Sequence, residues 1–211
     1  MSSFVGHSLA AWTIHQLKPG LPSAKSKHAK RDRPIRNFLR SWLWLVWLTV
    51  IALVPDCDNA LSWVHPSAHE GLRITHSLGF ALILPLLTIL GLWWRQRPGL
   101  GVASLQLVGA GLSHLLLDLL VGVTALPLLW PLNPTAFKLP FGLLPSAGKL
   151  SLSNFYLYYN LAIELGVLLP LSIGVLLGCR LRKHRWLLGF LLVILGLISG
   201  RFMVVAYNLS R

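Results

Sequence analysis

Long apolar runs dominate this chain. Four of them, at about 38–55, 74–94, 99–122 and 154–179, and a fifth at 186–207 each approach the roughly 20 residues that a helix needs to cross a bilayer. Residues 1–17 are mixed in character and, at 1.5 Å per residue, reach only about 25 Å. The pattern predicts an all-α, polytopic membrane helical bundle with five clear transmembrane helices plus a short or re-entrant N-terminal helix.

The composition supports a single membrane-embedded domain over residues 1–211. Hydrophobic residues make up 55% and charged residues 12% of the chain, and the mean hydropathy is +0.65, which is typical of integral membrane proteins. The net charge of +13 could indicate nucleic acid, but the basic residues lie between the apolar runs and form no separate basic module. We therefore expect the lipid bilayer as a partner and no nucleic acid, with the oligomeric state left open.

Lysine and arginine are distributed unevenly between the loops. Eight of them lie in the linker 18–40, and further groups follow the second and fourth clear apolar runs. Because cytoplasmic loops carry an excess of these residues, the linker is predicted to be cytoplasmic. The proline-rich segment 123–153 then forms an outer loop that covers the bundle on the other side.

The chain contains only six acidic residues, and most of them lie beside or inside apolar runs. A carboxylate in hydrocarbon is costly, so such residues favour a functional site. With the predicted threading, they share one layer near the outer helix ends with several histidines. The layer comprises Asp56, Asp58, Glu70, His76, His114, Asp118 and Glu164, and His7 joins it if residues 1–17 cross with the N-terminus outside.

Two pairs in this layer have helical spacing. His114 and Asp118 are four residues apart, as are Asn160 and Glu164, so each pair lies on one face of a helix. An imidazole and a carboxylate on one face can bind a divalent ion together. The alternatives are a His–Asp hydrogen bond between helices and, for Asn160, polar contact between helices.

Further candidates flank the ends of the next helices. Asp56 and Asp58 suit hard-cation ligation, or one ligand and one general base, although solvated loop charges are the alternative. His69 and His76, seven residues apart, can return to one helical face. Arg73 offers a planar fork for a phosphate or carboxylate, or it extends its charge to the interface.

Several of these motifs occur together in a known family. GHSLAAWTI near the start, LVPDCD, LRITHSL, SHLLLDLL and the following PLLWPL together resemble the LexA-regulated, inner-membrane, metal-dependent hydrolases. The resemblance covers most of the chain. It implies a multi-pass protein of the bacterial inner membrane and hydrolase activity that depends on a bound metal.

Through that family, the chain is distantly similar to the zinc-dependent phospholipase C and single-strand nuclease group. The order of ligands in that group corresponds here to His7, Asp56, His69 or His76, His114 and Asp118, and then the Asn160–Glu164 pair. Asn160 stands where that group has a histidine. The resemblance therefore implies one or two ions, with zinc favoured, rather than a full three-zinc cluster.

These observations predict a membrane-bound, metal-dependent hydrolase that acts on a phosphoester of a lipid or lipid-linked substrate at the outer face. The catalytic candidates are Asp56, Asp58 and Arg73, and the metal-ligand candidates are His7, Asp56, His69, His76, His114, Asp118 and Glu164. Two other classes remain. A transporter or ion relay would need polar residues that continue into the cytoplasmic half, and a structural membrane protein would use the same groups as contacts between helices.

Overall fold

The computed structural model describes residues 3–17, 34–58, 73–146, 153–181 and 184–209. Within these ranges the chain is mainly helical and contains no β-strand. The six α-helices are α1 (Phe4–Gln16), α2 (Pro34–Leu53), α3 (Leu78–Trp94), α4 (Leu100–Val121), α5 (Phe155–Arg180) and α6 (Arg185–Leu209). Two short 3-10 helices, Val54–Asp56 and Ile74–His76, follow α2 and precede α3.

Four segments are long and apolar enough to cross a membrane. They are Leu39–Asp56, which takes in most of α2, and the whole of α4, α5 and α6. The apolar helix α3 is shorter, with 17 residues, and α1 has 13. The predicted all-α membrane bundle with a short N-terminal helix is therefore confirmed.

Polar side chains at the helix starts explain where three helices begin. The side-chain oxygens of Ser3, Ser77 and Asn154 accept hydrogen bonds from the backbone N–H groups of Gly6, Phe80 and Tyr156, at 3.1, 3.2 and 3.1 Å. Each bond satisfies one of the amides that a helix start leaves without a partner. The starts of α1, α3 and α5 are thereby defined by sequence-local chemistry.

Helix α1 packs against α2, α4 and α5 and runs antiparallel to α4. Its residue His7 stacks on His114, whereas the carbonyl of His15, two turns later, accepts from Gln106. We call the end of the bundle with His7 and His114 the site end, and the end with His15 and Gln106 the opposite end. A buried apolar layer lies between the two: Ala11, Leu48, Ile51, Ala52, Leu107 and Ala110.

Helices α3 and α4 approach closely near the site end. A Cβ atom on Gly111 would lie 2.5 Å from the carbonyl oxygen of Ala81 and 3.2 Å from Cγ of Pro85, so only glycine allows this contact. Gly111 is one helical turn before His114 on α4. The close approach therefore brings the start of α3, and His76 just before it, next to His114.

Candidate metal centre

Four side chains from three parts of the chain converge at the site end. Asp56 and His76 each end a 3-10 helix, next to α2 and α3, while His114 and Asp118 lie one turn apart on α4. All four are buried, and each offers one ligand atom such that these atoms lie within 4.8 Å of one another. This group could hold a metal ion.

The distances within the group suit a small divalent ion. His76 Nε2 lies 3.3 Å from His114 Nε2, 3.2 Å from Asp118 Oδ2 and 3.5 Å from Asp56 Oδ1. Ligands about 2.0–2.1 Å from a tetrahedral ion are separated from each other by about 3.3 Å. The three distances from His76 are close to this edge length, while His114 Nε2 lies farther from the carboxylates, 3.7 Å from Asp118 Oδ2 and 3.9 Å from Asp56 Oδ1.

The orientation of His114 is set by the backbone of α2. Its Nδ1 lies 2.7 Å from the carbonyl oxygen of Ala52. A carbonyl can only accept, so Nδ1 carries the hydrogen and donates it. In the neutral ring this leaves the lone pair of Nε2 directed at Asp118 and His76, which is how metal-binding histidines are usually held.

A chain of polar groups orients His76 in the same way. The hydroxyl of Thr75 donates to Asp58 Oδ2 at 3.1 Å, so it accepts from His76 Nδ1, 3.0 Å away. Asp58 also accepts from Nε and Nη2 of Arg73, both at 2.7 Å. Burial raises the pKa of Asp58, but the hydrogen bonds and charge of Arg73 outweigh it and lower that pKa overall. Asp58 is therefore ionised, and it holds the Thr75 hydroxyl that in turn orients His76.

The converging atoms are mostly hydrogen-bond acceptors. The Nε2 atoms of His76 and His114 face each other at 3.3 Å, and the carboxylates of Asp56 and Asp118 bring two negative charges. Burial lowers the pKa of His76, but its hydrogen bonds to Asp118 and Asp56 raise it above its ordinary value, so without a cation the protonated Nε2 of His76 donates to these carboxylates. The group therefore favours positive charge at its centre, and a divalent ion would balance its two carboxylates.

His7 lies beside these four residues. Its ring stacks on that of His114 with centroids 4.1 Å apart, and its Nε2 lies 3.7 Å from Asp118 Oδ1 and 3.9 Å from Asp56 Oδ2. It is fully buried, and neither ring nitrogen has a hydrogen-bond partner among the described residues. His7 thus faces the carboxylate oxygens that the other two histidines do not approach.

Glu164 is not part of the four-residue group. Its two carboxylate oxygens lie 3.0 and 3.3 Å from the backbone nitrogen of Ser3, which donates to them. It therefore ties the start of α1 to α5, one turn from His7. Asn160 donates to the carbonyl of Ser146 at 2.8 Å, so it holds the loop before α5 and not a neighbouring helix.

Of the remaining predicted residues, Arg73 lies at the edge of the site, 3.8 Å from Asp56 through Nη2. His69 and Glu70 lie outside the described residues, as does most of the predicted basic linker. Asp58 is present at the site, but its oxygens are engaged by Arg73 and Thr75.

A second buried polar group, at the opposite end, is one that the sequence pattern did not reveal. Trp44 Nε1 donates to Gln106 Oε1 at 2.8 Å, and Gln106 Nε2 lies 3.2 Å from the carbonyl oxygens of Ile14 and His15. His15 itself is 3.2 Å from the hydroxyl of Ser41. Gln106 thereby caps the last turn of α1. The only signal in the sequence is a single glutamine within an apolar run.

Comparison with known proteins adds one firm result. No curated protein and no solved structure matches the chain. The family model described as the YdjM inner membrane protein matches residues 1–206, which include the described part of every helix except the end of α6. With four helices able to cross a bilayer, this makes the protein a multi-pass integral protein of the inner membrane. The chain belongs to the YdjM inner membrane protein family.

Proposed function

We propose that this protein is a membrane-bound, metal-dependent hydrolase. The observation that carries the proposal is the convergence of Asp56, His76, His114 and Asp118 in one buried group. Both histidines have their Nδ1 atoms held by neighbouring acceptors, so that both Nε2 atoms face the centre. When both rings are neutral, these Nε2 atoms are acceptors that face two carboxylates, so the group requires a proton or a cation at its centre.

The residue types favour zinc over magnesium or calcium. Two imidazole nitrogens and two carboxylate oxygens within 4.8 Å of one another suit Zn²⁺, whereas the harder ions prefer oxygen ligands alone. A divalent ion at this position would supply Lewis-acid activation of water or of a phosphoryl oxygen. His76, His114, Asp56 and Asp118 would hold it.

The proposed role of His7 depends on whether the site holds one ion or two. Asp56 and Asp118 each present one oxygen to the two facing histidines and the other to His7. With two ions, His7 would join Asp56 and Asp118 in holding the second one. With one ion, His7 is the buried imidazole able to take a proton from the attacking water, because its nitrogens have no hydrogen-bond partner among the described residues.

The catalytic candidates divide into two roles. Asp56 faces the cluster and is proposed as a ligand, while Asp58 is proposed to position His76 through Thr75. Arg73 uses Nε and Nη2 to hold Asp58. Of its nitrogens, Nη1 lies outside this bidentate pair, and we assign it to a phosphoryl oxygen of the substrate. In the reaction, water adds to phosphorus, the phosphorus–oxygen ester bond breaks, and the leaving oxygen takes a proton.

A phosphoester of a lipid or lipid-linked molecule is the proposed substrate class. It is supported by the resemblance to zinc-dependent phospholipases and by the position of the site at the end of membrane-crossing helices. The resemblance to the LexA-regulated inner-membrane hydrolases is the basis for a further proposal, that LexA controls the gene.

An ion relay is the competing function, because polar groups also occur at the opposite end. The two polar groups are separated along α1, α2 and α4 by the buried apolar layer of Ala11, Leu48, Ile51, Leu107 and Ala110. A relay would need a hydrogen-bonded or hydrated path through this layer. We therefore favour chemistry confined to the site end.

A matched pair of histidine variants tests the proposal. Full-length protein, His114→Ala and His15→Ala would be purified in lipid nanodiscs, and bound metal would be counted by elemental mass spectrometry. Hydrolysis would be followed with a chromogenic phosphodiester and with phospholipid. We expect a stoichiometric metal and turnover in the parent and in His15→Ala, and loss of both in His114→Ala.

Each possible result bears on a different part of the proposal. A parent protein that binds no divalent metal after reconstitution with zinc would refute the metal centre. A metal-loaded protein that releases acyl or amide products but cleaves no phosphoester would refute the substrate class alone. The number of ions per chain assigns His7 as a ligand or as a proton acceptor.

A further inference from the structure

Helix α1 is too short to cross a bilayer, and both of its ends contact other helices. Its 13 residues span about 20 Å, and it packs against α2, α4 and α5. Its N-cap residue, Ser3, is buried. The first N–H groups and the last carbonyls of a helix have no partner within that helix, so ends enclosed by protein need partners from elsewhere.

Other helices supply these partners at both ends of α1. At its last turn, the amide nitrogen of Gln106 on α4 donates to the carbonyls of Ile14 and His15. At its start, the carboxylate of Glu164 on α5 accepts from the backbone N–H of Ser3, at 3.0 Å for Oε1 and 3.3 Å for Oε2. The first turn of α1 contains no acidic residue of its own. Glu164 therefore brings a carboxylate to the position where a helix start favours one.

Ser3 connects Glu164 to His7 through the backbone. Its N–H donates to Glu164, and its carbonyl accepts from the N–H of His7 at 3.2 Å. Its hydroxyl oxygen accepts from the N–H of Gly6. Glu164 is itself fully buried on α5, a helix that packs against α1. The turn of α1 that carries His7 is therefore fixed to α5 through Ser3.

The ring of His7 depends on this attachment more than the rings of the other two histidines do. The Nδ1 atoms of His114 and His76 contact Ala52 and Thr75, whereas neither ring nitrogen of His7 has a hydrogen-bond partner among the described residues. Stacking on His114, with centroids 4.1 Å apart, and the position of α1 place the ring. A shift of α1 by one residue would move the ring by about 1.5 Å, and a misplacement of about 1 Å can slow a reaction by about 100-fold.

We propose that Glu164 is a positioning residue for His7. Through the N–H of Ser3, it holds the start of α1 at the depth that keeps the His7 ring stacked on His114. Glu164 thus contributes to the site without binding the ion, although the sequence placed it among the metal ligands. The catalytic meaning of this placement rests on the proposed function, but the placement itself can be tested in the metal-free protein.

Contacts between histidine rings measure the placement directly. The full-length chain would be labelled with ¹³C and ¹⁵N in its histidines, stripped of metal and reconstituted in lipid for magic-angle-spinning NMR. We expect a ring-to-ring cross-peak between His7 and His114 and another between His76 and His114, whose centroids lie 4.1 and 5.1 Å apart. Their absence from His7→Ala and from His76→Ala, respectively, assigns them.

Two matched pairs of variants isolate the hydrogen bond between α1 and α5. Glu164→Ala removes the acceptor, whereas Glu164→Gln keeps a carbonyl oxygen that can accept from Ser3. Ser3→Pro removes the donor, because proline has no N–H, and the φ of -80° at this position suits the proline ring. Ser3→Ala is its control, since it loses the same hydroxyl but keeps the N–H.

We expect the His7–His114 cross-peak to be lost in Glu164→Ala and Ser3→Pro and kept in Glu164→Gln and Ser3→Ala. The His76–His114 cross-peak should remain in all four, because the rest of the bundle stays folded. Persistence of the His7–His114 contact in Glu164→Ala would overturn the proposal. Loss of both contacts in Ser3→Pro as well as in Glu164→Ala would also overturn it, because the hydrogen bond would then support the whole bundle and not His7 in particular.

Turnover of the metal-loaded protein extends the test to the proposed reaction. If Glu164 acts through His7, Glu164→Ala and His7→Ala lower hydrolysis of the chromogenic phosphodiester by similar factors, and the double variant is no slower than His7→Ala. A double variant slowed by the product of the two factors would overturn the proposal, since Glu164 would then act independently of His7. Absence of metal or turnover in the parent would refute the proposed function alone, because the ring contacts are measured without metal.

Discussion

Two buried polar groups lie on the same helices and behave differently. At the opposite end, Gln106 accepts from Trp44 and directs its own amide nitrogen to the carbonyls of Ile14 and His15. At the site end, eight residues further along α4, His114 directs its free nitrogen toward another imidazole nitrogen and a carboxylate. The first group matches donors with acceptors. The second group brings two imidazole nitrogens and two carboxylates together and requires a proton or a cation at its centre.

The difference distinguishes a buried polar group that only stabilises the fold from one that could bind an ion. A neutral network whose hydrogen bonds close on themselves stabilises the fold and needs nothing more. A group with surplus acceptors and negative charge is unstable without a cation, so the fold must supply rigidity elsewhere to hold it. Here that rigidity comes from the Ala52 carbonyl, the Arg73–Asp58 pair and the close contact at Gly111.

The largest effect is expected on bound metal, which should fall when a residue of the site end is changed and not when a residue of the opposite end is changed. Asp118→Ala removes a carboxylate that faces both His76 and His7, so we expect loss of most bound zinc. Gln106→Ala, on the same helix and also buried, should keep full metal content. Elemental analysis of both variants in nanodiscs provides the measurement. Equal metal loss in the two would mean that metal binding reports on folding and not on ligation.

An intermediate effect on zinc affinity is expected for Thr75, which is not a candidate ligand but contacts the candidate ligand His76. Thr75→Val keeps the shape but removes the hydroxyl between His76 and Asp58. Loss of such a supporting group typically lowers metal affinity by about 10–100-fold. Zinc affinity is measured by competition with a chelator.

Thr75→Ser is the matched control because it keeps the hydroxyl, and it should bind zinc nearly as the parent does. If the valine variant also kept the parental affinity, the polar chain from Arg73 to His76 would have no part in ordering the centre.

The smallest effect is expected for Gln106→Leu, and it concerns stability alone. The change removes the partner of the Trp44 N–H and one donor from each of two α1 carbonyls, of which that of Ile14 still accepts from the N–H of Leu17. Because Trp44 is only partly buried, we expect a loss of about 1 kcal/mol in unfolding free energy. Thermal unfolding in nanodiscs measures it. A drop in zinc affinity of the folded variant would show that the two polar groups are coupled.

Much of the architecture could be predicted from the pattern of residues. Long apolar runs and their lengths predict the membrane-crossing helices, because each must bury its own backbone hydrogen bonds in lipid. The spacing of His114 and Asp118 places both on one face of α4, since helical periodicity is local. The scarcity of acidic residues in apolar surroundings pointed to Asp56 as well.

Other features depend on contacts between distant segments. The sequence placed Glu164 in the site layer, but its oxygens accept from the backbone of Ser3, 161 positions away along the chain. It offered Asp56 and Asp58 as equivalent candidates, whereas Asp56 faces the Nε2 atoms of the histidines and Asp58 holds Arg73 on the Nδ1 side of His76. Side-chain partners across helices are set by rotation and crossing of those helices, which local spacing does not encode.

The sequence by itself therefore determined that this is a helical membrane protein, and it predicted that most of its acids and several of its histidines lie in one layer. Hydrophobic length and the cost of charge in lipid are properties of the residues themselves. Only the tertiary structure decided which of those residues meet. Convergence of His7, Asp56, His76 and His114 within hydrogen-bonding and stacking distance requires four separate segments to pack at one depth, and that is a property of the packed bundle.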